Sequence, residues 1–395
     1  MRFLLFALLL SVILDAKSLD EIIGHALQTH TSLVSIQERL SAVENEKSMS
    51  RNFSDPDIAF GINDIQFDNP AKRDLEAMQF TSVTFKQKIP YFGKRDAATN
   101  KAKAKEKVLQ MSLEEAKSEL KKEIRLTAYA IWEAQGRAKI LYKYIADTSQ
   151  SIALNEAYNL TSNSHIALMS AKLSLSRQKI EKSVLNSLID SLFQKLSYLA
   201  GEKVESLALD LGVQKPKELF YYLQKVQADD ALQVKKAQVE LQKSQLQIAH
   251  LSQKIDPYVQ AGYYYRQGHP DYTSITVGAS IPLWGTQKEE EQIQRKLLLA
   301  ADSEANDFQN RLTSQISQLY ANLQSDFQIY RILTEESMPQ IEHLVDLQKS
   351  SVKSGDVLLL YIDLLNKELG LEESLIKVTA DFNKKEALLD ALTGE

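Results

Sequence analysis

The sequence predicts a mostly α-helical protein that carries a small membrane-type β-sheet and is built from two copies of one unit. Three observations support this prediction: an export-type N-terminal segment, motifs that recur at a nearly constant spacing, and short alternating stretches set between long heptad-patterned ones. Glycine and proline are few, 13 and 8 among 395 residues, which favours long uninterrupted elements over a loop-rich globule.

The N-terminus has the pattern of a secretory signal peptide. Arg2 supplies a positive charge, and the stretch from Phe3 to Leu14 is apolar but too short to span a bilayer as a helix. We therefore expect residues 1–16 to be removed on export; the alternative is a buried N-terminal helix. No later stretch reaches about 18 apolar residues, so we expect a mature chain without a transmembrane helix.

Composition and motifs argue against several function classes. Lys plus Arg is 47 and Asp plus Glu is 52, so no excess of positive charge points to a nucleic-acid partner. The absence of cysteine excludes disulfides, thiolate metal sites and catalytic thiols. No glycine-rich phosphate loop occurs, and none of the 6 histidines has another at the spacing of a helical zinc pair. We expect no enzymatic activity, no metal and no cofactor.

Internal motifs predict that the chain is duplicated. Ile-Pro, a variable residue, an aromatic residue and glycine occur at 89–93 and again at 281–285. Asp-Pro precedes each of these motifs, and a polar break followed by an apolar run follows each of them at nearly the same spacing. The predicted copies are 17–210 and 211–395. The strand-to-helix turns predicted by the repeated motif are marked by Pro90, Gly93, Pro282 and Gly285.

Each copy contains two short stretches with strand periodicity. Apolar and polar residues alternate strictly in them, as in strands with one apolar and one polar face. After Ile62 the alternation changes phase, which predicts a bulge near Asn63 and Asp64. The predicted strands span about 57–67, 78–89, 257–266 and 272–283.

The remaining sequence is patterned for long helices. Ile124, Ile131 and Ala138 recur every seventh residue, and Ile180, Val184, Leu188, Leu192 and Leu196 form another stripe. Such repeats place an apolar seam along a helix, in a coiled coil or in ordinary bundle packing. The predicted long helices span about 94–150, 152–199, 286–338 and 340–392.

Four membrane strands in one chain cannot close a barrel, and an open edge in lipid leaves backbone groups without hydrogen bonds. We therefore expect three chains to share one twelve-stranded barrel, an even number as in outer-membrane barrels. Lys86, Lys88 and Arg266 would then line a wet lumen, and the aromatic residues near the strand ends would form an interfacial girdle. The alternative is a soluble helical protein in which a small four-stranded subdomain uses those aromatics as core.

Taken together, these residues resemble the TolC family of outer-membrane efflux proteins. The resemblance rests on the export signal, the duplicated strand pairs and the Ile-Pro-x-aromatic-Gly turn into a long helix. Lys88 to Arg95 is also similar to a turn of the heavy-metal-exporting branch. The resemblance implies a TolC-like fold: a trimeric barrel continued by a long α-helical coiled-coil barrel.

The same resemblance implies where this chain would meet its partners. The segment that begins at Ser354 resembles the periplasmic tip of the family, and the first copy has Ser164-His165 where the second has Gly355-Asp356. Tyr361 and Asp363 stand where a pore constriction would form, although Tyr361 occupies a position at which relatives often have an acid. The implied adaptor-contact residues are Ser162, Asn163, Ser164, His165, Ser354, Gly355 and Asp356.

The function implied by the resemblance is that of a passive outer-membrane exit duct. It would dock to a periplasmic adaptor and an inner-membrane efflux transporter and export metal ions, drugs or other toxic solutes. Two alternatives remain: a periplasmic adaptor, which has a single helical hairpin between β-rich flanks, and a structural coiled-coil protein of the envelope.

Overall fold

A computed structural model of the chain describes residues 17–158, 162–349 and 355–394. The predicted signal segment 1–16 and the predicted tip residue Ser354 lie outside the described residues. In chain order the elements are β1 (Lys17–Ser18), α1 (Leu19–Thr29), α2 (Thr31–Met49), β2 (Asp57–Asn63), β3 (Phe80–Lys88), α3 (Lys94–Tyr158), α4 (Ser162–Ala200), β4 (Leu207–Ala208), α5 (Leu219–Gln224), α6 (Asp230–Ser252), β5 (Asp256–Tyr265), β6 (Tyr272–Ser280), α7 (Thr286–Ile332), α8 (Met338–Lys349) and α9 (Gly355–Thr393).

The chain forms two compact units, and neither unit corresponds to one of the predicted copies. The strand unit comprises Ser35–Leu113 and Ala231–Gln309. The helical unit comprises the described residues up to Val34, Glu114–Asp230 and those from Asn310 onward. Each unit therefore draws on both halves of the sequence, because the matching segments of the two copies associate with each other.

The strand unit holds an antiparallel four-stranded sheet in the order β2-β3-β5-β6. The two hairpins come from different copies, and they join through β3 and β5, where Val83 lies opposite Tyr263. Within the second hairpin, Val259 lies opposite Val277. β2 and β6 form the two edges of this sheet.

The predicted bulge at Asn63–Asp64 is absent, because β2 ends at Asn63. Asp64 has a left-handed backbone with φ of 56°, which turns the chain out of the sheet. The guanidinium of Arg73 then donates to the carbonyls of Asn63, Asp64 and Phe80, and so caps the ends of both strands of the hairpin. The loop from Asp64 to Gln79 is thus held by its own side chains.

α3 is longer than the sequence analysis expected, whereas α4 and α9 begin later than expected, at Ser162 and Gly355. The apolar residues at seven-residue spacing in α3, such as Ile124, Ile131 and Ile152, are buried. No glycine or proline interrupts the sequence after residue 150, and α3 continues to Tyr158 instead of ending there.

The expected helix end near residue 338 is also absent. A π-helical segment, Leu333–Ser337, connects α7 directly to α8, and Pro339 lies in the first turn of α8. Proline has no N–H to donate, and a π-type turn accommodates the missing hydrogen bond without ending the helix. The hydroxyl of Thr334 donates to the carbonyl of Tyr330, in the last turn of α7, at 2.8 Å.

The core of the helical unit lies among α3, α4, α8 and α9. Tyr144 and Leu141 of α3 are fully buried there, and Leu365 of α9 packs in the same cluster. Arg137 of α3 connects two neighbours, at 3.0 Å from Glu181 of α4 and 3.3 Å from Glu373 of α9. Apolar burial supplies most of the stabilisation of such a core, and the ion pairs fix the helix register.

The order of elements repeats along the chain. Two helices, two strands and long helices occur first as α1 to α4 with β2 and β3, and again as α5 to α9 with β5 and β6. α4 and α9 both contain 39 residues. Across the described ranges, no helix is both long enough and apolar enough to pass through a bilayer.

Candidate membrane sheet and helix ends

The strand register collects large apolar side chains on one face of the sheet. Opposed residues of neighbouring antiparallel strands point to the same side, so Ile58, Phe85, Ala261 and Ile275 share one face. Phe60 and Ile275 on this apolar face are 80% and 78% exposed. Side chains of this size need a non-aqueous neighbour, which the chain itself does not supply.

The opposite, polar face carries small and polar residues. Thr84, Gln260 and Thr276 point to this side, as do Lys86 and Lys88. The Lys86 Nζ lies 4.2 Å from the centre of the Tyr258 ring. Arg266, which was predicted on the same strand face, instead follows the end of β5 and donates to the carbonyl of Pro270 in the β5–β6 turn.

The tyrosines divide between the two faces rather than forming one girdle. Tyr263 and Tyr265 lie on the apolar face, whereas Tyr264 and Tyr272 lie on the polar face and stack at 4.6 Å. Glycine makes room for rings that lie flat on the polar face, since a Cβ at Gly278 would overlap the ring of Tyr258. These rings therefore lie on the polar face of the sheet, opposite to Tyr263 and Tyr265.

The turns from strand to helix form where the repeated motif predicts them. Gly93 and Gly285 precede α3 and α7 with φ of 85° and 75°, a conformation that other residues adopt only with strain. Asp256 stabilises the strand-to-helix turn at Gly93. Its carboxylate accepts a hydrogen bond from the backbone N–H of Tyr91 at 2.8 Å and forms an ion pair with Lys94 at 2.8 Å. The side chains of Phe92 and Trp284, next to these turns, are fully exposed.

The predicted tip residues lie at the starts of two helices. Ser162, Asn163, Ser164 and His165 form the first turn of α4, and Gly355 and Asp356 begin α9. The predicted turns at 161–166 and 353–357 are therefore largely helical, and the chain before each helix, at 159–161 and 350–354, lies outside the described residues. His165 is exposed at this end of α4.

The two predicted constriction residues differ in their surroundings. Tyr361 is 5% exposed inside the core of the helical unit, so it cannot face a pore, and its assignment to the constriction is wrong. Burial raises the pKa of Tyr361, and the carboxylates of Asp147, Glu368 and Asp346 raise it further. Asp363 is exposed and pairs with Lys367 at 2.7 Å.

Beside this core lie two partly buried carboxyl groups on α9. Burial raises the pKa of Glu372, with Lys143 acting against it from 3.6 Å, and the Oε2 atom of Glu372 has no hydrogen-bond partner among the described residues. Burial also raises the pKa of Glu373, although Arg137 lowers it. No cluster of histidine and acidic side chains in the described part of the chain has the arrangement of a metal site.

The chain matches no protein-family model and no curated protein at the level of sequence. Solved structures do match it. The outer membrane protein VceC from Vibrio cholerae is 15% identical, with a TM-score of 0.77 over 95% of this chain and 96% of VceC. The CmeC outer membrane channel from Campylobacter jejuni is 11% identical, with a TM-score of 0.78 over 95% of this chain and 85% of CmeC.

A third similar structure is that of CusC, described for its folding and transmembrane channel formation. It is 10% identical, with a TM-score of 0.78 over 95% of this chain and 91% of CusC. The chain has the fold of outer-membrane channels. The TolC-like fold predicted from the sequence is therefore confirmed as a fold, with its small sheet and its long helices.

Several residues that shape this channel fold were not identified from the sequence. Asp256 was noted only as part of a repeated Asp-Pro pair, and its bonds to Tyr91 and Lys94 join segments that are distant in sequence. Arg73 lies in no motif that the sequence shows. Gly262 lies two residues before Tyr264, on the same strand face. This neighbouring glycine was the sequence signal for a ring that lies flat on the polar face.

Proposed function

We propose that this protein is an outer-membrane exit duct: a passive channel whose sheet lies in the membrane and whose helices extend into the periplasm. The observation that carries the proposal is the two-faced sheet. Its exposed apolar face suits lipid, and its polar face, with Lys86 and Lys88 near one end, suits a water-filled lumen. The channel fold shared with VceC and CmeC supports the same assignment.

The sheet has two edges, which suggests that three chains assemble. β2 and β6 leave one backbone edge each without a partner in the chain, and unpaired edges are not tolerated in lipid. Three copies joined edge to edge would close a twelve-stranded barrel. Exposed apolar residues on α4 at heptad spacing, such as Leu173 and Ile180, support contacts between copies along the helices as well.

The remaining parts of the proposal concern partners and cargo. The exposed start of α4 at His165 and the start of α9 would contact a periplasmic adaptor, and an inner-membrane transporter would supply the energy. Asp363, repeated three times around the axis, would border the constriction beside these ends. The cargo would be a toxic solute such as a metal ion or a drug, and the transporter would select it.

Single cysteines can test the two faces of the sheet, because the native chain has none. In outer-membrane vesicles, a charged, membrane-impermeant thiol reagent should label the Thr276→Cys chain quickly. It should label the Ile275→Cys chain at least about tenfold more slowly, because Ile275 faces lipid. Ala59→Cys and Phe60→Cys form a second matched pair. Equal rates within both pairs in membranes, with equal labelling in denaturant, would overturn the membrane sheet.

The orientation needs its own test. A cysteine at His165 carrying a short amine-reactive crosslinker should join to the co-expressed adaptor. A cysteine at Trp284, close to the strands, should not. Equal crosslinking yields from the two positions would contradict the assignment of the α4 start to the adaptor-facing end. If the cysteine at Trp284 crosslinks efficiently and the one at His165 does not, the orientation is the reverse of the one proposed.

A further inference from the structure

An open cavity of 860 Å³ lies where α2 ends and α3 begins, next to the end of β3. Its lining has two chemical parts. Three cations, Arg51, Arg95 and Lys103, face an apolar side that includes Phe53 and Phe92. All of these residues belong to the strand unit.

The cations of this cavity form no ion pair with the part of the chain that the structure describes. The guanidinium of Arg95 stacks 4.1 Å from the centre of the Phe53 ring and donates to the carbonyl of Arg51 at 3.2 Å, which fixes its position. Among the residues the structure describes, no carboxylate pairs with Arg51, Arg95 or Lys103. Asp96 is the one acid in the lining.

The duplicated architecture supplies an internal comparison. Aligned by the two Ile-Pro-x-aromatic-Gly motifs, Lys103 corresponds to Arg295 and Thr99 corresponds to Glu291. In the second copy, Glu291 pairs with Arg295 at 3.0 Å and lies 3.3 Å from the ring nitrogen of His250. In the first copy, Thr99 instead bonds to Ser50 at 2.9 Å, so Lys103 has no such acid. The excess of positive charge is therefore specific to the first copy.

We propose, on the basis of the proposed membrane position of the sheet, that this cavity binds the phosphate headgroup of an anionic phospholipid. Arg51, Arg95 and Lys103 would hold the phosphate, since guanidinium and ammonium groups form strong charge-assisted bonds with it. Phe53 and the exposed Phe92 would contact the glycerol and the first acyl carbons, because Phe53 lies just before the start of β2 and Phe92 just beyond the end of β3. A basic pocket beside an apolar surface is the arrangement that recognises acidic lipid headgroups.

Native mass spectrometry of the detergent-solubilised full chain tests the proposal with phosphatidylglycerol as the probe. The wild-type chain should retain phosphatidylglycerol and should bind phosphatidylcholine of the same acyl length more weakly. The double variant Arg51→Gln, Lys103→Gln should bind phosphatidylglycerol about thirtyfold more weakly, taking the usual contribution of a basic residue at a lipid surface. Arg295→Gln is the matched control in the second copy and should bind like the wild type.

A second arm separates the lipid from a free anion. Phe92→Ser should weaken phosphatidylglycerol binding without changing competition by inorganic phosphate. If inorganic phosphate competes as well as the lipid does and Phe92→Ser has no effect, the site binds anions only and the proposal fails. The proposal also fails if the wild type binds no lipid and the double variant no longer forms the oligomer. In that case a neighbouring copy of the chain, and not a lipid, fills the cavity.

Channel recordings on the same wild-type preparation distinguish this inference from the proposed function. If wild-type chains form channels but retain phosphatidylglycerol no better than the double variant does, the proposed lipid site alone is overturned. Wild-type chains that form no channels in planar bilayers would overturn the duct itself.

Discussion

At the scale of single residues, the carboxyl groups of α9 show how burial and pairing decide the effect of a charge. Asp363 and Glu372 lie on the same helix. Asp363 is exposed and paired with Lys367, whereas Glu372 is partly buried, faces Lys143 at 3.6 Å and keeps one oxygen without a partner among the described residues. The first carboxylate is exposed to solvent, and the second carries a cost to folding.

Asp363→Asn should raise single-channel conductance, or reduce block by multivalent cations, in planar bilayers. Three carboxylates repeated around one axis attract cations, and removing them removes that attraction. Lys367→Gln removes the partner of Asp363 and should strengthen the block by multivalent cations, because Lys367 partly neutralises the charge of Asp363. If neither substitution changes conductance or block, Asp363 is a surface ion-pair residue and does not border the pore.

Glu372→Gln should stabilise the helical unit at neutral pH. Burial raises the pKa of Glu372 above its ordinary value of 4.5. The folded state therefore binds this proton more tightly than the unfolded state does. Protonation of Glu372 thus stabilises the folded state fully below about pH 4.5, and this stabilisation is lost as the pH rises through the pKa of Glu372 in the folded protein. The glutamine variant does not suffer this loss, and we expect a gain of about 1 kcal/mol at pH 7, which is roughly 2 °C in the melting temperature.

The measurement is a set of thermal unfolding curves in detergent between pH 4.5 and pH 8. The difference between Glu372→Gln and the wild type should grow with pH. Glu336→Gln, an exposed change in the π-helical segment before α8, should leave the curves unchanged. A constant difference at every pH would mean that Glu372 acts through packing rather than through its charge.

At the scale of elements, the β2–β3 loop depends on a single guanidinium. Arg73 donates to carbonyls of Asn63, Asp64 and Phe80, and Gln79 donates to Asp64 and Lys72. In Arg73→Gln, amides of residues 64–79 should exchange hydrogen roughly tenfold faster, since the carbonyls at the strand ends lose charge-assisted bonds. Lys72→Gln, the exposed neighbouring change, should leave exchange as in the wild type. Unchanged exchange in both variants would show that the loop holds without Arg73.

Local patterns predicted the elements, but their ends depend on contacts that are distant in sequence. Alternation identified all four strands of the sheet, and the Ile-Pro-x-aromatic-Gly motif identified both turns into long helices. The phase change after Ile62 suggested a bulge, because Arg73 and its three acceptors could not be inferred from periodicity. The helix end predicted near residue 338 is absent, because a π-helical segment that accommodates a proline has no sequence pattern of its own.

The candidate site was predicted less completely than the fold. Lys86 and Lys88 lie on the polar face as their alternation indicated, because strand parity alone determines the face. Tyr361 was assigned to the constriction from the family resemblance, yet it is buried, since the apolar residues around it do not reveal which face of α9 meets α3 and α8. Helical periodicity predicts a face, but it does not predict the neighbour.

At the scale of the whole molecule, the apolar surface that one chain leaves exposed predicts its assembly. The sequence stripe of Ile180, Val184 and Leu188 on α4 was expected to be a core seam, but these three side chains are exposed in the chain. The buried residue between them is Leu185. The stripe is therefore available to a second copy.

Ile180→Asp should shift the detergent-solubilised protein from trimer towards monomer, because a charge at an apolar contact between helices is desolvated without a partner. Light scattering coupled to size exclusion measures the mass. Lys179→Asp, an exposed change on the adjacent residue, should leave the mass unchanged. A wild-type chain that is monomeric and still forms channels would refute the shared barrel, whatever the variants do.

The interleaving of the two copies in both units also bears on how the chain folds. β3 completes its pairing only with β5 of the second copy, so the hairpin of the first copy keeps an unpaired edge and an exposed apolar face until residues 256–265 reach it. Closing so long a loop costs conformational entropy before any long-range contact compensates for it, and folding of such topologies is slow. The two copies cannot fold one after the other: residues 17–210 expressed alone should aggregate, and in the proposed outer-membrane duct the first copy would have to stay unfolded until the second copy had been exported.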